Sequence, residues 1–222
     1  MLLQFGTDVP MTIEAASHLP SLPDAATGPL IHPRWVRVTH WLNALAVFAM
    51  IGSGWQIYDA SPLFSFIHFP GAVTLGGWLA GALLWHFAAM WLLVVNGAVY
   101  VALGLASGRF RRKLLPIRAR AVVGDLAAAL RGRLSHDDLS VYNAVQRLLY
   151  IGVILAGVVI VLSGLSIWKP VQLKYLTDCF GGYDTARYVH FFAMSSIVAF
   201  LAIHVTLAVL VPKSLRAMIF GR

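Results

Sequence analysis

The chain has 222 residues, 17 Lys and Arg against 9 Asp and Glu (formal charge +8), and is 59% hydrophobic with 12% charged residues. A mean hydropathy of +0.76 excludes a soluble domain, because a chain this short has too little interior to hide so much apolar surface. A nucleic-acid binder is excluded as well, since the basic residues flank apolar runs and no nucleic-acid motif accompanies them.

Residues 1–34 carry Pro10, Pro20, Pro23 and Pro29 without a helical period, which predicts a flexible cytoplasmic tail turning into the first helix at His32-Pro33. The opening MLLQFGTDVPM lacks a basic n-region and reads as retained, not as a removable leader. Residues 35–222 form one membrane domain with four spans, about 41–58, 76–105, 139–167 and 188–211. A bilayer core takes about 20 helical residues, so the second and third spans must tilt or project beyond it. The loop 59–75, with Phe64, Phe66 and Phe69 among its prolines and glycine, is expected in the membrane interface. In the connection 106–138, IRARAVVGDLAAALRGRL alternates basic and apolar residues at helical spacing, which predicts a helix on the inner leaflet. Ser135-His136-Asp137-Asp138 then supplies helix-start chemistry. The loop 168–187 is the largest exposed segment of its face and holds Cys179, the single cysteine. One thiol makes no internal disulfide, zinc site or iron–sulfur site, so redox chemistry requires another cofactor.

With four spans both termini share one side, and that side carries 14 of the 17 Lys and Arg residues. The positive-inside rule places it in the cytoplasm, in contact with membrane lipid.

Four histidines lie within the spans: His40, His86, His190 and His204. An ionisable residue in hydrocarbon implies a function. The other four, His18, His32, His68 and His136, fall in tails and loops and are read as solvated or interfacial. Fourteen helical residues rise about 21 Å and turn about 1,400°, roughly 40° short of four circles. His190 and His204 therefore share one face, one near each membrane surface. His40 opens the first span on the inner side, and His86 lies near the outer end of the second. In an antiparallel bundle this gives an outer pair, His86 with His190, and an inner pair, His40 with His204. Two imidazoles converging from opposite helices are the axial ligands of a b-type haem, whose macrocycle also fills the bundle. A zinc or manganese pathway would want carboxylates among its ligands, and the spans have none beyond Asp59, Asp138 and Asp184 at their edges.

Arg37 and Arg187 each precede a histidine by three residues on its aqueous side, where haem propionates would emerge; an ordinary interfacial anchor fits the same positions. Gly52, Gly54, Gly81, Gly152, Gly157 and Gly164 suit either a flat macrocycle or close helix packing. Asn143, Gln146, Arg147 and Tyr150 form a polar stripe on the third span. It either faces the interior or rises above the membrane. In the first case Asn143 and Tyr142, with His204 and His136, could bind a quinone headgroup.

His32-Pro-Arg-Trp-Val-Arg-Val-Thr-His40, His86 and Arg187-x-x-His190 followed by His204 resemble the bacterial cytochrome b-561 superfamily. The likeness spans residues 32–218, and the type is the dihaem cytochrome b subunit that anchors NiFe hydrogenases, formate dehydrogenases and molybdoenzymes. The resemblance implies an all-α integral membrane protein, a four-transmembrane-helix bundle with two b haems stacked between helices. In it, His40 and His204 would hold the inner iron, His86 and His190 the outer iron, and Asn143 would line a quinone pocket. It further implies the bacterial inner membrane, electron transfer between ubiquinone or menaquinone and a periplasmic oxidoreductase subunit, and catalysis on that other subunit. A stand-alone superoxide:quinone oxidoreductase is the alternative.

Overall fold

The computed structural model describes residues 31–114, 118–131 and 144–221. The tail before residue 31 and the segment holding His136, Tyr142 and Asn143 lie outside the described residues. All regular structure among the described residues is helical: α1 (Arg34–Ala60), α2 (Leu79–Ala106), α3 (Arg109–Leu114), α4 (Ala119–Leu130), α5 (Ala144–Trp168), α6 (Lys174–Cys179), α7 (Tyr183–Leu210) and α8 (Pro212–Phe220). Three of them, α2, α5 and α7, are long and apolar enough to cross a membrane. At 27 residues α1 is as long as these, about 40 Å. It falls below them in hydropathy because Arg34, Arg37, His40, Asn43, Gln56 and Asp59 lie along it.

The long helices pack as two pairs. α1 runs along α2 and α5 along α7, and no helix of one pair packs closely along a helix of the other. Lipid tails are as apolar as leucine, so helices in a membrane associate where small residues let backbones approach. The buried residues follow that rule: Ala46, Gly52 and Ser53 on α1, Ala82 and Ala89 on α2, Ser163 and Ser166 on α5, Ala186 and Ala193 on α7. Large apolar side chains such as Leu84, Trp91, Leu155 and Val209 point outward instead. Polar groups inside a pair are satisfied across it. Asn96 of α2 is buried and donates to the Thr39 carbonyl (2.7 Å) and to the Asn43 side chain (2.8 Å) of α1.

Side chains join the two pairs at both ends. At one end the α1–α2 loop folds back, with the Leu75 N–H donating to the Gly52 carbonyl at 2.9 Å. Its Phe69 stacks on Trp55 (4.6 Å, 4°). Phe64 meets Tyr188 and Phe191 of α7, and Tyr58 meets Phe191. The loop expected in the interface is thus an aromatic clasp between α1 and α7. Arg187 of α7 tightens it by donating to the Ser61 carbonyl at 2.6 Å. At the opposite, basic end the Ile31 N–H donates to the Gly221 carbonyl (2.9 Å) and Arg37 donates to the Ile219 carbonyl (2.9 Å), tying α1 to the end of α8.

Replacing Asn96 with Ala removes both bonds to α1. Interhelical hydrogen bonds in membranes average about 0.6 kcal/mol and reach about 1.7, so N96A should lower stability by about 1 kcal/mol in an SDS-unfolding titration. An unchanged midpoint would show that α1 and α2 do not depend on this contact.

Candidate functional site

The four histidines expected within the spans sit at matched distances from their helix ends. His86 is seven residues into α2 and His190 seven into α7; His40 is six residues into α1, and His204 lies six before the end of α7. At about 1.5 Å per residue each ring stands roughly 10 Å inside its helix end. The fold brings His40 and His204 together at the basic end, ring centroids 5.9 Å apart and planes inclined by 63°. His86 and His190 meet at the far end, close enough to interact electrostatically. Each pair joins one helical hairpin to the other.

The far-end rings share a second arrangement. Ser53 Oγ lies 3.0 Å from His86 Nδ1, and Ser163 Oγ lies 3.1 Å from His190 Nδ1. Both serines are completely buried. Each hydroxyl has one proton, and each donates it along its own helix, Ser53 to the Ala49 carbonyl (2.6 Å) and Ser163 to the Val159 carbonyl (2.7 Å). Nδ1 therefore carries the hydrogen in both imidazoles, and the lone pair is left on Nε2. A glycine follows each serine and makes room for the ring. A Cβ on Gly54 would stand 3.4 Å from His86 Cε1, and one on Gly164 would stand 3.1 Å from His190 Cε1. Sequence reasoning noted these glycines but missed the serines. The signal was present as Ser-Gly at 53–54 and again at 163–164.

The basic-end rings are held by aromatic contacts. His204 stacks on Phe200 (5.6 Å, 11°) and His40 meets Trp41 edge-on at 5.3 Å. Both arginines expected beside the histidines are engaged with backbone carbonyls, Arg187 with Ser61 and Arg37 with Ile219. The Arg37 Nε is buried and has no hydrogen-bond partner. Of the polar stripe, Gln146, Arg147 and Tyr150 are half-buried, as are Val145 and Leu149 beside them, while Leu148 is exposed. Asn143 and Tyr142, the expected quinone contacts, lie outside the described residues.

One solvated reading is corrected. His32 is buried, only 8% exposed, between the ends of α3 and α8. Its Nδ1 accepts a hydrogen bond from Arg109 Nη2 at 3.2 Å. The turn at Pro33 folds the segment inward, which the sequence pattern alone did not reveal. His68, by contrast, is exposed beside Asp59.

The donor set can be tested for fit. Among the described residues no group of three or more His, Cys, Asp or Glu side chains could hold a metal ion. An ion bound by protein alone would have two nitrogen donors per level, well short of a filled shell. A macrocycle carrying its own equatorial donors completes such a shell. Two imidazoles on one iron, each at about 2 Å through nitrogen, put their centroids roughly 6 Å apart, and the basic-end pair stands at 5.9 Å. The residues fit an iron porphyrin.

Comparison with known proteins decides the family. The family model described as "Prokaryotic cytochrome b561" matches residues 31–221. The chain belongs to the prokaryotic cytochrome b561 family. It is also 56% identical over 191 residues, 86% of this chain and 96% of the relative, to a protein of Azospira oryzae named "Putative protein-methionine-sulfoxide reductase subunit YedZ1". A cytochrome b561 is a membrane electron-transfer protein, and haem binding is expected of the family.

His32 supplies a pH test of the basic end. Burial first, then the cation of Arg109, the neighbouring His40 ring and the cations of Lys113 and Arg37, push its pKa down from 6.5 to about 4. A detached segment binds a proton below pH 6.5 that the docked ring refuses until about pH 4. Docking is therefore strongest above 6.5 and weakens as pH falls towards 4. Hydrogen exchange at the Ile31 amide, corrected for intrinsic rates, should quicken across that window in the native chain and stay level in H32Q. Equal profiles would exclude His32 as the cause.

Proposed function

We propose that this chain conducts electrons across the bacterial inner membrane through two b haems, one held by His86 and His190 and the other by His40 and His204. The observation that carries the reading is the pairing of imidazoles at two matched depths, each pair drawn from separate helical hairpins. Bound haem supplies reversible one-electron redox chemistry at each level. The protein's part is to fix four imidazoles, exclude water and keep the helix pairs apart. Open space beside Gly97, Gly152 and Gly157, where an added Cβ would meet no atom, is consistent with a flat group between helices. α1 is the fourth crossing helix. It packs along α2, and its Asn43 and Gln56 find partners inside the protein.

The 14 Lys and Arg residues on the His40 side support a cytoplasmic placement of that face and of both termini. A quinone, ubiquinone or menaquinone, would exchange electrons there, beside His204 and the stripe of Gln146 and Tyr150. Asn143 and Tyr142 are the proposed headgroup contacts. The buried Nε of Arg37 supports a haem propionate at that level. Arg187 would reach one only by sharing its guanidinium with Ser61.

The name of the Azospira relative favours a protein-methionine-sulfoxide reductase as the outer-face partner over the hydrogenase and formate dehydrogenase types. Reduction of a methionine sulfoxide consumes two electrons and two protons. Electrons would then run from quinol at the basic face to a catalytic subunit docked on the loops 59–75 and 168–187. Val171 and Tyr175 in the second loop are over four-fifths exposed.

A pyridine haemochrome assay should find two haems per chain in the purified protein and one in H86A or H190A. Redox titration of either variant should retain the basic-end haem. G164L should lose the same haem without touching a ligand, because its side chain enters the space of the His190 ring. Retention of both haems in H86A or H190A would overturn the assignment. Rapid superoxide oxidation coupled to quinone reduction by the isolated chain would favour the stand-alone alternative.

A further inference from the structure

We propose that Ser53 and Ser163 are positioning residues that lower the reduction potential of the far-end haem by accepting hydrogen bonds from the Nδ1–H of its two axial histidines. The inference rests on the assignment of His86 and His190 as ligands, and it concerns residues with no place in that assignment.

Both far-end histidines have a serine at Nδ1, 3.0 and 3.1 Å away, and both serines have spent their only proton on a carbonyl of their own helix. Hydroxyls facing in this way are acceptors. Each sits within the same helical pair as its histidine, Ser53 of α1 with His86 of α2 and Ser163 of α5 with His190 of α7. Serine and histidine are thus fixed by the tight packing of a pair, and the ring's second nitrogen is left for the other pair. The partner that bonds the remote nitrogen of a ligating imidazole sets its tautomer and orientation and raises its basicity. The serine's own donation to a carbonyl polarises its oxygen further, since hydrogen bonds in a chain strengthen one another. A more basic ligand stabilises the more highly charged oxidised iron, so the potential falls. Two serines act on one iron from opposite sides. Among the described residues His40 and His204 have aromatic neighbours and no hydrogen-bonding partner for their rings, so within these residues the arrangement belongs to the far end.

The test is a spectroelectrochemical titration of the full chain with both haems loaded, the far-end haem being identified by its loss in H86A. S53A and S163A should each keep two haems and move the far-end potential upward. The expected shift is about three- to tenfold in the oxidised-to-reduced ratio, roughly 30–60 mV for one electron. The basic-end haem serves as internal reference and should not move. S166A is the control: Ser166 is also fully buried on α5 and bonds only the Leu162 carbonyl through its hydroxyl. It should leave both potentials in place. The electron paramagnetic resonance signal of the far-end ferric haem should shift with S53A and S163A and not with S166A, reporting weaker ligand basicity independently of any turnover. Loss of the far-end haem from both serine variants, with S166A retaining it, would support the same role at greater strength, because such partners commonly contribute 10–100-fold to metal affinity. An unmoved or lowered far-end potential in S53A and S163A, with two haems present, would overturn the proposal and leave the histidine assignment standing. Two haems surviving in H86A would remove the assignment itself.

Discussion

A neutral imidazole in hydrocarbon has two nitrogens to satisfy, one donor and one acceptor, and no water to do it. At the far end this requirement organises the fold. His86 and His190 each spend the donor inside their own helical pair, on Ser53 and Ser163. That leaves one acceptor per ring directed at the gap between pairs. Packing within a pair and the proposed ligation between pairs would therefore fall to opposite nitrogens of the same side chain. A group placed between the pairs would complete both rings at once, and neither hairpin alone offers it a site.

The same division appears in the packing. Within a pair the contacts are alanine, glycine and serine, the residues that bring helix backbones together in lipid. Between pairs the contacts are long side chains at the two ends: the Tyr58, Phe64 and Phe191 cluster with Arg187 on Ser61, and the Arg37 link to α8.

Much of this was legible in the sequence because it depends on one-dimensional quantities. Hydrophobic run length gave the apolar helices α2, α5 and α7, and 14-residue spacing gave the shared face of His190 and His204. Run length marks 41–58 as a span, whereas the hydropathy of α1 falls short of that of the other three long helices. Its polar residues are internal partners of α2 and the loop, Asn43 with Asn96 and Gln56 with Thr74, and hydropathy counts them against a span. His32 shows another limit. Its burial depends on Gly221, almost 190 positions later, receiving the Ile31 amide, and no local pattern encodes so distant a contact. Ser53 and Ser163 were overlooked because a serine in an apolar helix ordinarily bonds its own preceding turn. Both do so, and only the fold shows the histidine on the other side of the oxygen.

The two levels are consequently unlike chemically, although their geometry is similar. At the far end both rings are fixed by oxygen acceptors inside buried helix contacts, and glycines hold the space the rings need. At the basic end stacking on Phe200 and an edge-on contact with Trp41 orient the rings, and their surroundings are cationic, with Arg37, Arg109 and Lys113 gathered about His32 close by. An aromatic neighbour fixes the plane of an imidazole and does little to its basicity, whereas a hydrogen-bond acceptor does both. Among the described residues, orientation is thus common to the two pairs of rings, and a hydroxyl at the ring nitrogen is found only at the far end. Under the proposed assignment, two buried hydroxyls would set one level apart from the other without a change of ligand.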